Sequence, residues 1–106
     1  MGRKTPDPIL ASFRAALDEL YGDRLDRVVL FGSRARGDAR ADSDYDVAVF
    51  LKSLTDRWAE LDKLAELRVR FIDDTGAFFD ALPYPATTYQ ERSPLMGEIR
   101  EEGLSL

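Results

Sequence analysis

The stretch over residues 28–50 narrows the possible folds more than any other part of this chain. Val28-Val29-Leu30-Phe31 is a short continuous apolar run of β-branched and aromatic residues, which suits a buried strand. Gly32-Ser33 breaks it. Ser33-Arg34-Ala35-Arg36 predicts one helical turn stopped by Gly37, and the polar residues as far as Ser43 predict a loop. A second strand is predicted over 44–51, opened by Asp44-Tyr45-Asp46.

Helical spacing surrounds this stretch. Asp7 and Pro8 read as an N-cap and a first helical position, followed by Ile9, Leu10, Phe13, Leu17, Leu20 and Tyr21 near a 3.6 period, with Gly22 as the stop. After Thr55, a candidate cap, Trp58, Leu61, Leu64, Ala65, Leu67, Phe71 and Ile72 predict a core-packed helix that ends near Gly76. Phe78-Phe79-Asp80-Ala81-Leu82 predicts a third strand, closed where Pro83 and Pro85 end ladder pairing. Ser93-Pro94 opens a last helix with Leu95, Met96 and Ile99 on its apolar side and Gly103 as its stop. The order αβ(turn)βαβα predicts an α/β (α+β) fold, one small mixed sheet backed by helices.

Length and composition bound the function. The 106 residues are near the size of one compact domain, so a single domain over 1–106 is expected, with 1–6 as a flexible tail. Lys+Arg 15 against Asp+Glu 20 gives a net charge of −5, which argues against a module built to grip nucleic-acid phosphates. The start lacks an apolar signal-peptide run, and no stretch nears the roughly 18 apolar residues of a membrane span, so no membrane partner and a cytoplasmic location are expected. There is no cysteine and no histidine. Chemistry here must therefore run on carboxylates, hydroxyls and arginines.

Those residue types gather in the central stretch. Side chains two apart on a strand share a face, so Asp44 and Asp46 project together. Two carboxylates that close repel unless a cation lies between them, and hard oxygen ligands suit Mg²⁺ supplemented by phosphates and water. The Gly32-Ser33 corner supplies the complement, because glycine lets the backbone approach a phosphate and the serine hydroxyl can donate to one. Two rival motifs fail on the same residues. The GxxxxG of 32–37 is followed by Asp38-Ala39 where a P-loop needs Lys and Ser/Thr, and the acidic run from Asp42 has Val47 and Ser53 where a calcium loop needs glycine and glutamate.

Gly32-Ser33, Ala35-Arg36-Gly37 and Ser43-Asp44-Tyr45-Asp46 resemble the signature of polymerase-β-like nucleotidyltransferases. The short length and the ending Leu95-Met96-Gly97-Glu98-Ile99-Arg100-Glu101-Glu102-Gly103 resemble the family's minimal members, the MNT antitoxins paired with HEPN toxins in type VII-like toxin–antitoxin systems. The resemblance implies three carboxylates holding two Mg²⁺ ions and ATP, with Asp80 as the third acid; Asp73 and Asp74 fall at a helix end and are poorer choices. It implies that Asp44, Asp46 and Asp80 bind metal, that Asp80 also helps deprotonate the nucleophile, and that Gly32, Ser33 and Arg34 or Arg36 hold phosphates. The implied reaction transfers AMP to a hydroxyl, a tyrosine, of a cognate HEPN-type ribonuclease toxin. It leaves open whether the chain forms homo-oligomers or hetero-oligomers.

A plainer reading stands beside each residue. Ser33 can serve as a helix N-cap, Arg34, Arg36 and Arg40 can balance neighbouring acids, Asp80 can guard a strand edge, and the acidic last helix can be a solvated face. A second function class is a non-catalytic antitoxin that neutralises its partner by occlusion, its nucleotide site vestigial. A third, polymerisation on nucleic acid or modification of an aminoglycoside, lacks the basic groove and extra domain it needs.

Overall fold

A computed structural model describes residues 7–106; the tail expected over 1–6 lies outside the described residues. The elements are α1 (Pro8–Tyr21), β1 (Leu25–Phe31), α2 (Ser33–Arg36), β2 (Tyr45–Leu51), α3 (Arg57–Thr75), β3 (Phe79–Pro85), α4 (Pro94–Glu102) and β4 (Leu104–Ser105), with 3-10 turns at Gly22–Arg24 and Ala86–Gln90. The sheet order is β3-β2-β1-β4. It is mixed: β2 runs antiparallel to β1 and parallel to β3, and β4 is antiparallel to β1.

Strand alternation sorts the chain into two layers. Val28 and Leu30 of β1, Tyr45, Val47, Val49 and Leu51 of β2, and Phe79 and Ala81 of β3 face α1 and α3, meeting Phe13, Leu17, Leu64 and Phe71. Phe13 stacks on Phe79 at 3.9 Å and meets Phe71 edge-on at 5.1 Å. The alternate residues Val29, Ala48 and Phe50 face Met96 and Ile99 of α4, with Tyr84 and Tyr89 at the margin. Asp44, Asp46 and Asp80 share the parity of this second face.

Caps set the helix ends. The Asp7 carboxylate accepts from Ile9 N at 2.8 Å, and Ser93 Oγ accepts from Met96 N at 3.1 Å. For α3 the cap is Asp56 and not Thr55, the Asp56 carboxylate accepting from Ala59 N at 3.1 Å. Gly76 ends that helix at φ 76, in the left-handed region.

Three further expectations need correction. Of the apolar residues assigned to the core of α3, Leu64, Leu67 and Phe71 are buried, whereas Ala65 is exposed and Trp58 is 78% exposed. The buried stripe runs through 60, 64, 67 and 71, and Trp58 lies roughly 200° around the helix from its first member. That first member is a charge: Glu60 is 5% exposed and accepts from Arg24 at 2.7 Å. Second, Pro83 and Pro85 do not end β3; they pair opposite Val49 and Leu51. β3 is an edge strand, and its odd residues turn their backbone groups outward, where Phe79 and Pro83 carbonyls accept from Arg68 and Arg57 of α3. A proline in that phase forfeits no ladder bond. Third, the 3-10 turn at Ala86–Gln90 and the two-residue β4 have no counterpart in the sequence pattern.

The return into β4 depends on Gly103. A Cβ there would fall on the Ile99 carbonyl oxygen and Val29 Cγ1, while one on Gly97, in the middle of α4, meets nothing within 4 Å. Gly103→Ala is expected to destabilise the fold by about 1–3 kcal/mol, the range for forcing a methyl into filled space. Gly97→Ala is expected to stabilise it by roughly 0.5–1 kcal/mol through helix propensity. Urea unfolding of the two variants checks both signs.

Candidate functional site

The site forms where β1 ends and β2 and β3 begin. Gly32 leaves β1 at φ 76 and ψ −157, and a Cβ on it would overlap the Asp46 carboxylate. Both the backbone conformation and the close approach therefore require glycine. The one-turn helix that follows is capped by Gly32 with no side-chain cap bond, so the Ser33 hydroxyl is not used as an N-cap. Gly37, at φ 86, stops the turn as expected, its N–H donating to Ser33 O at 3.0 Å.

The three predicted acids come to one end of one face. In register, Asp46 has Phe31 on one side and Asp80 on the other, and Asp44 precedes it by two positions on the same face. Asp46 is half-buried, whereas Asp44 and Asp80 are exposed. Burial first, then the charges of Asp80, Asp44 and Glu98, push the Asp46 carboxyl above its ordinary range, while Arg36 pulls it down. Among the described residues no three acids converge tightly enough to encage an ion by themselves. The donor set nonetheless fits a small hard cation: oxygen ligands only, mutually repelling, and open to water and phosphate oxygens, as Mg²⁺ sites commonly are.

The two nearby arginines part company. Arg36 is exposed and reaches Asp38 at 3.4 Å, Glu98 at 3.6 Å and Glu102 at 3.7 Å, so it spans from α2 to α4 beside Asp46. Arg34 points the other way, into the loop before Asp44. Glu98 was legible only as part of a solvated acidic face; no local signal marks it as a neighbour of Asp46, because α4 reaches this end of the sheet through the fold. Grooves lie between α1 and α3 at Ala16, Leu20 and Lys63, and beside Arg34 and Tyr45. With Asp44 and Asp80 exposed beside the half-buried Asp46, the carboxylates form an open shelf.

The electrostatics carry a sign. A raised folded-state carboxyl favours the protonated form, so its contribution to stability is present below the ordinary carboxylate range and is lost as pH rises through the raised value. Asp46→Asn is therefore expected to raise the melting temperature by a few degrees at neutral pH without divalent ions. The advantage should vanish near about pH 3, where carboxylates protonate. Gly32→Ala has the opposite effect, costing about 1–3 kcal/mol for a side chain held at positive φ and displacing Asp46. Calorimetry across pH checks both variants.

Comparison with known proteins identifies the family and the fold. The model of the nucleotidyltransferase domain family matches residues 10–93. Over 46 residues the chain is 44% identical to a Methanocaldococcus jannaschii protein named "putative protein adenylyltransferase", a match covering 43% of this chain and 46% of that protein. The chain thus matches about half the length of that relative. Among solved structures, a toxin–antitoxin with AMP-PNP superposes with a TM-score of 0.60 at 21% identity, over 89% of this chain and 69% of the other. A double Asp→Glu mutant of the MntA–HpeT toxin–antitoxin gives 0.62 at 18% identity, over 89% and 69%. A Tyr→Ala mutant of the same pair gives 0.61 at 21%, over 91% and 70%. These structures share the fold, and the family match spans most of the described residues: the chain belongs to the nucleotidyltransferase domain family.

Proposed function

We propose that this chain is a Mg-ATP-dependent nucleotidyltransferase that transfers AMP to a hydroxyl of a protein partner, a toxin that the modification silences. The observation that carries the reading is the register of Asp46 beside Asp80, with Asp44 on the same face and the Gly32 corner against Asp46. The protein named as an adenylyltransferase and the toxin–antitoxin structures support the choice of reaction and partner. By the same resemblance the partner is a HEPN-type ribonuclease and the acceptor a tyrosine.

Asp44, Asp46 and Asp80 would hold two Mg²⁺ ions, which would supply charge neutralisation along the triphosphate, and the Gly32 backbone with the Ser33 hydroxyl would receive the terminal phosphates. Arg36 is better placed than Arg34 to pair with a phosphate oxygen, since it stands beside Asp46 with its guanidinium exposed. Asp80 takes the proton from the attacking hydroxyl. That oxygen bonds to the α-phosphorus while the bond to the bridging oxygen breaks, and pyrophosphate leaves in line. The openness of the shelf suits an acceptor carried on a macromolecule, and the net charge of −5 disfavours a nucleic acid in that role. The reaction draws on cytoplasmic ATP, and no described helix is long and apolar enough to cross a membrane.

One observation favours a second reading. Because Arg36, the arginine beside Asp46, is already engaged by Asp38, Glu98 and Glu102, the site reads alternatively as a relic in a chain that neutralises its partner by occlusion. The two readings separate on Asp44→Ala with Asp46→Ala. Incubated with α-labelled ATP, Mg²⁺ and the toxin, wild type is expected to label the partner, and the double variant to lose at least about 100-fold in rate, the scale for removing electrostatic stabilisation of a transition state. Full neutralisation of the toxin by the unlabelling variant would sink the catalytic reading in favour of occlusion.

A further inference from the structure

Arg34 donates from Nε to Ser43 O at 3.0 Å, and from Nη2 to Ser43 O at 2.8 Å, Ala41 O at 3.1 Å and Arg40 O at 3.4 Å. Its guanidinium lies over the Tyr45 ring, 4.0 Å from the centroid. The Tyr45 hydroxyl in turn donates to Asp7 Oδ2 at 2.7 Å, and the other oxygen of that carboxylate caps α1. The loop is closed upon itself as well, since Ser43 N donates to Arg40 O at 3.1 Å and Arg40 N to Ser43 Oγ at 2.9 Å.

Asp44 sits between the two residues that Arg34 grips, Ser43 by its carbonyl and Tyr45 by its ring. Tyr45 is further fixed by its N–H, which donates to Phe78 O at 2.9 Å just ahead of β3. We infer that Arg34 is a positioning residue: its planar fork and its stacking on Tyr45 hold the loop ahead of β2, so that Asp44 and Asp46 are presented toward Asp80. The inference rests on the proposed reaction and departs from the sequence expectation that Arg34 binds phosphate, because its Nε and Nη2 are directed at loop carbonyls. A lysine cannot substitute. It keeps the charge that a phosphate would feel, but loses both the forked set of donors and the flat surface.

Arg34→Lys therefore distinguishes the two roles. Hydrogen exchange of the amides over 38–44 is expected to quicken by about tenfold while α3 keeps its protection. At saturating Mg-ATP, kcat for label transfer should fall roughly 10–100-fold, as for a displaced catalytic group. Because lysine keeps the charge, any loss of Mg-ATP affinity is expected to accompany the quickened exchange, whereas a phosphate-binding role would lower affinity with exchange unchanged. Wild-type exchange over 38–44, whether ATP affinity drops or not, would overturn the inference. Should the wild-type chain bind no Mg-ATP, the proposed reaction falls, yet the exchange measurement still decides whether Arg34 holds the loop. Arg34→Ala is a second variant, and its helical circular dichroism establishes folding before exchange is read.

Discussion

The pleat of β2 governs the rest of the molecule. Its odd residues Tyr45, Val47, Val49 and Leu51 enter the core beneath α1 and α3, which obliges its even residues to the other face. Fully burying one such aliphatic side chain is worth about 1.5–3 kcal/mol, and a slip of one residue would turn all of them outward at once. The direction of Asp46 is thus enforced by apolar packing several residues away. A repelling pair of acids could not have organised that by itself.

The same arrangement explains why the acidic end of the sheet tolerates its own charge. Asp46 lies between the Phe31 position and Asp80, with Glu98 arriving from α4. Nothing in the described side chains cancels that charge completely; Arg36 offsets part of it while also serving Asp38, Glu98 and Glu102. Stability is given up locally, which is common where a fold prepares a place for a charged ligand.

Much of this was legible in the residues. The caps at Asp7 and Ser93, the stops at Gly22, Gly37 and Gly76, and the strand-corner-strand over 28–51 follow from local chemistry, and local chemistry dictated them in the structure too. What escaped depends on partners distant in sequence. Glu60 is buried with Arg24, from the turn after α1, and Lys63 as its ionic partners, and no helical periodicity reveals the long-range pair with Arg24. The buried stripe of α3 begins at Glu60, which leaves Trp58 on the outer side of the helix. The prolines of β3 looked like terminators because their phase relative to β2 is a property of the sheet. Of the site, the pairing of Asp44 with Asp46 and the glycine corner were readable, and Asp80 was reachable as the one acid within an apolar run. Glu98 and the loop-directed grip of Arg34 required coordinates.

The margin of β3 has a consequence for how other chains can meet this one. Pro83 and Pro85 offer no N–H, and the outward carbonyls of Phe79 and Pro83 are already taken by Arg68 and Arg57. A foreign strand laid along that border would find few main-chain groups left to bond. Whatever associates with the molecule on this side must recognise side chains and helical surfaces, and the protein is correspondingly shielded there from runaway stacking of sheets.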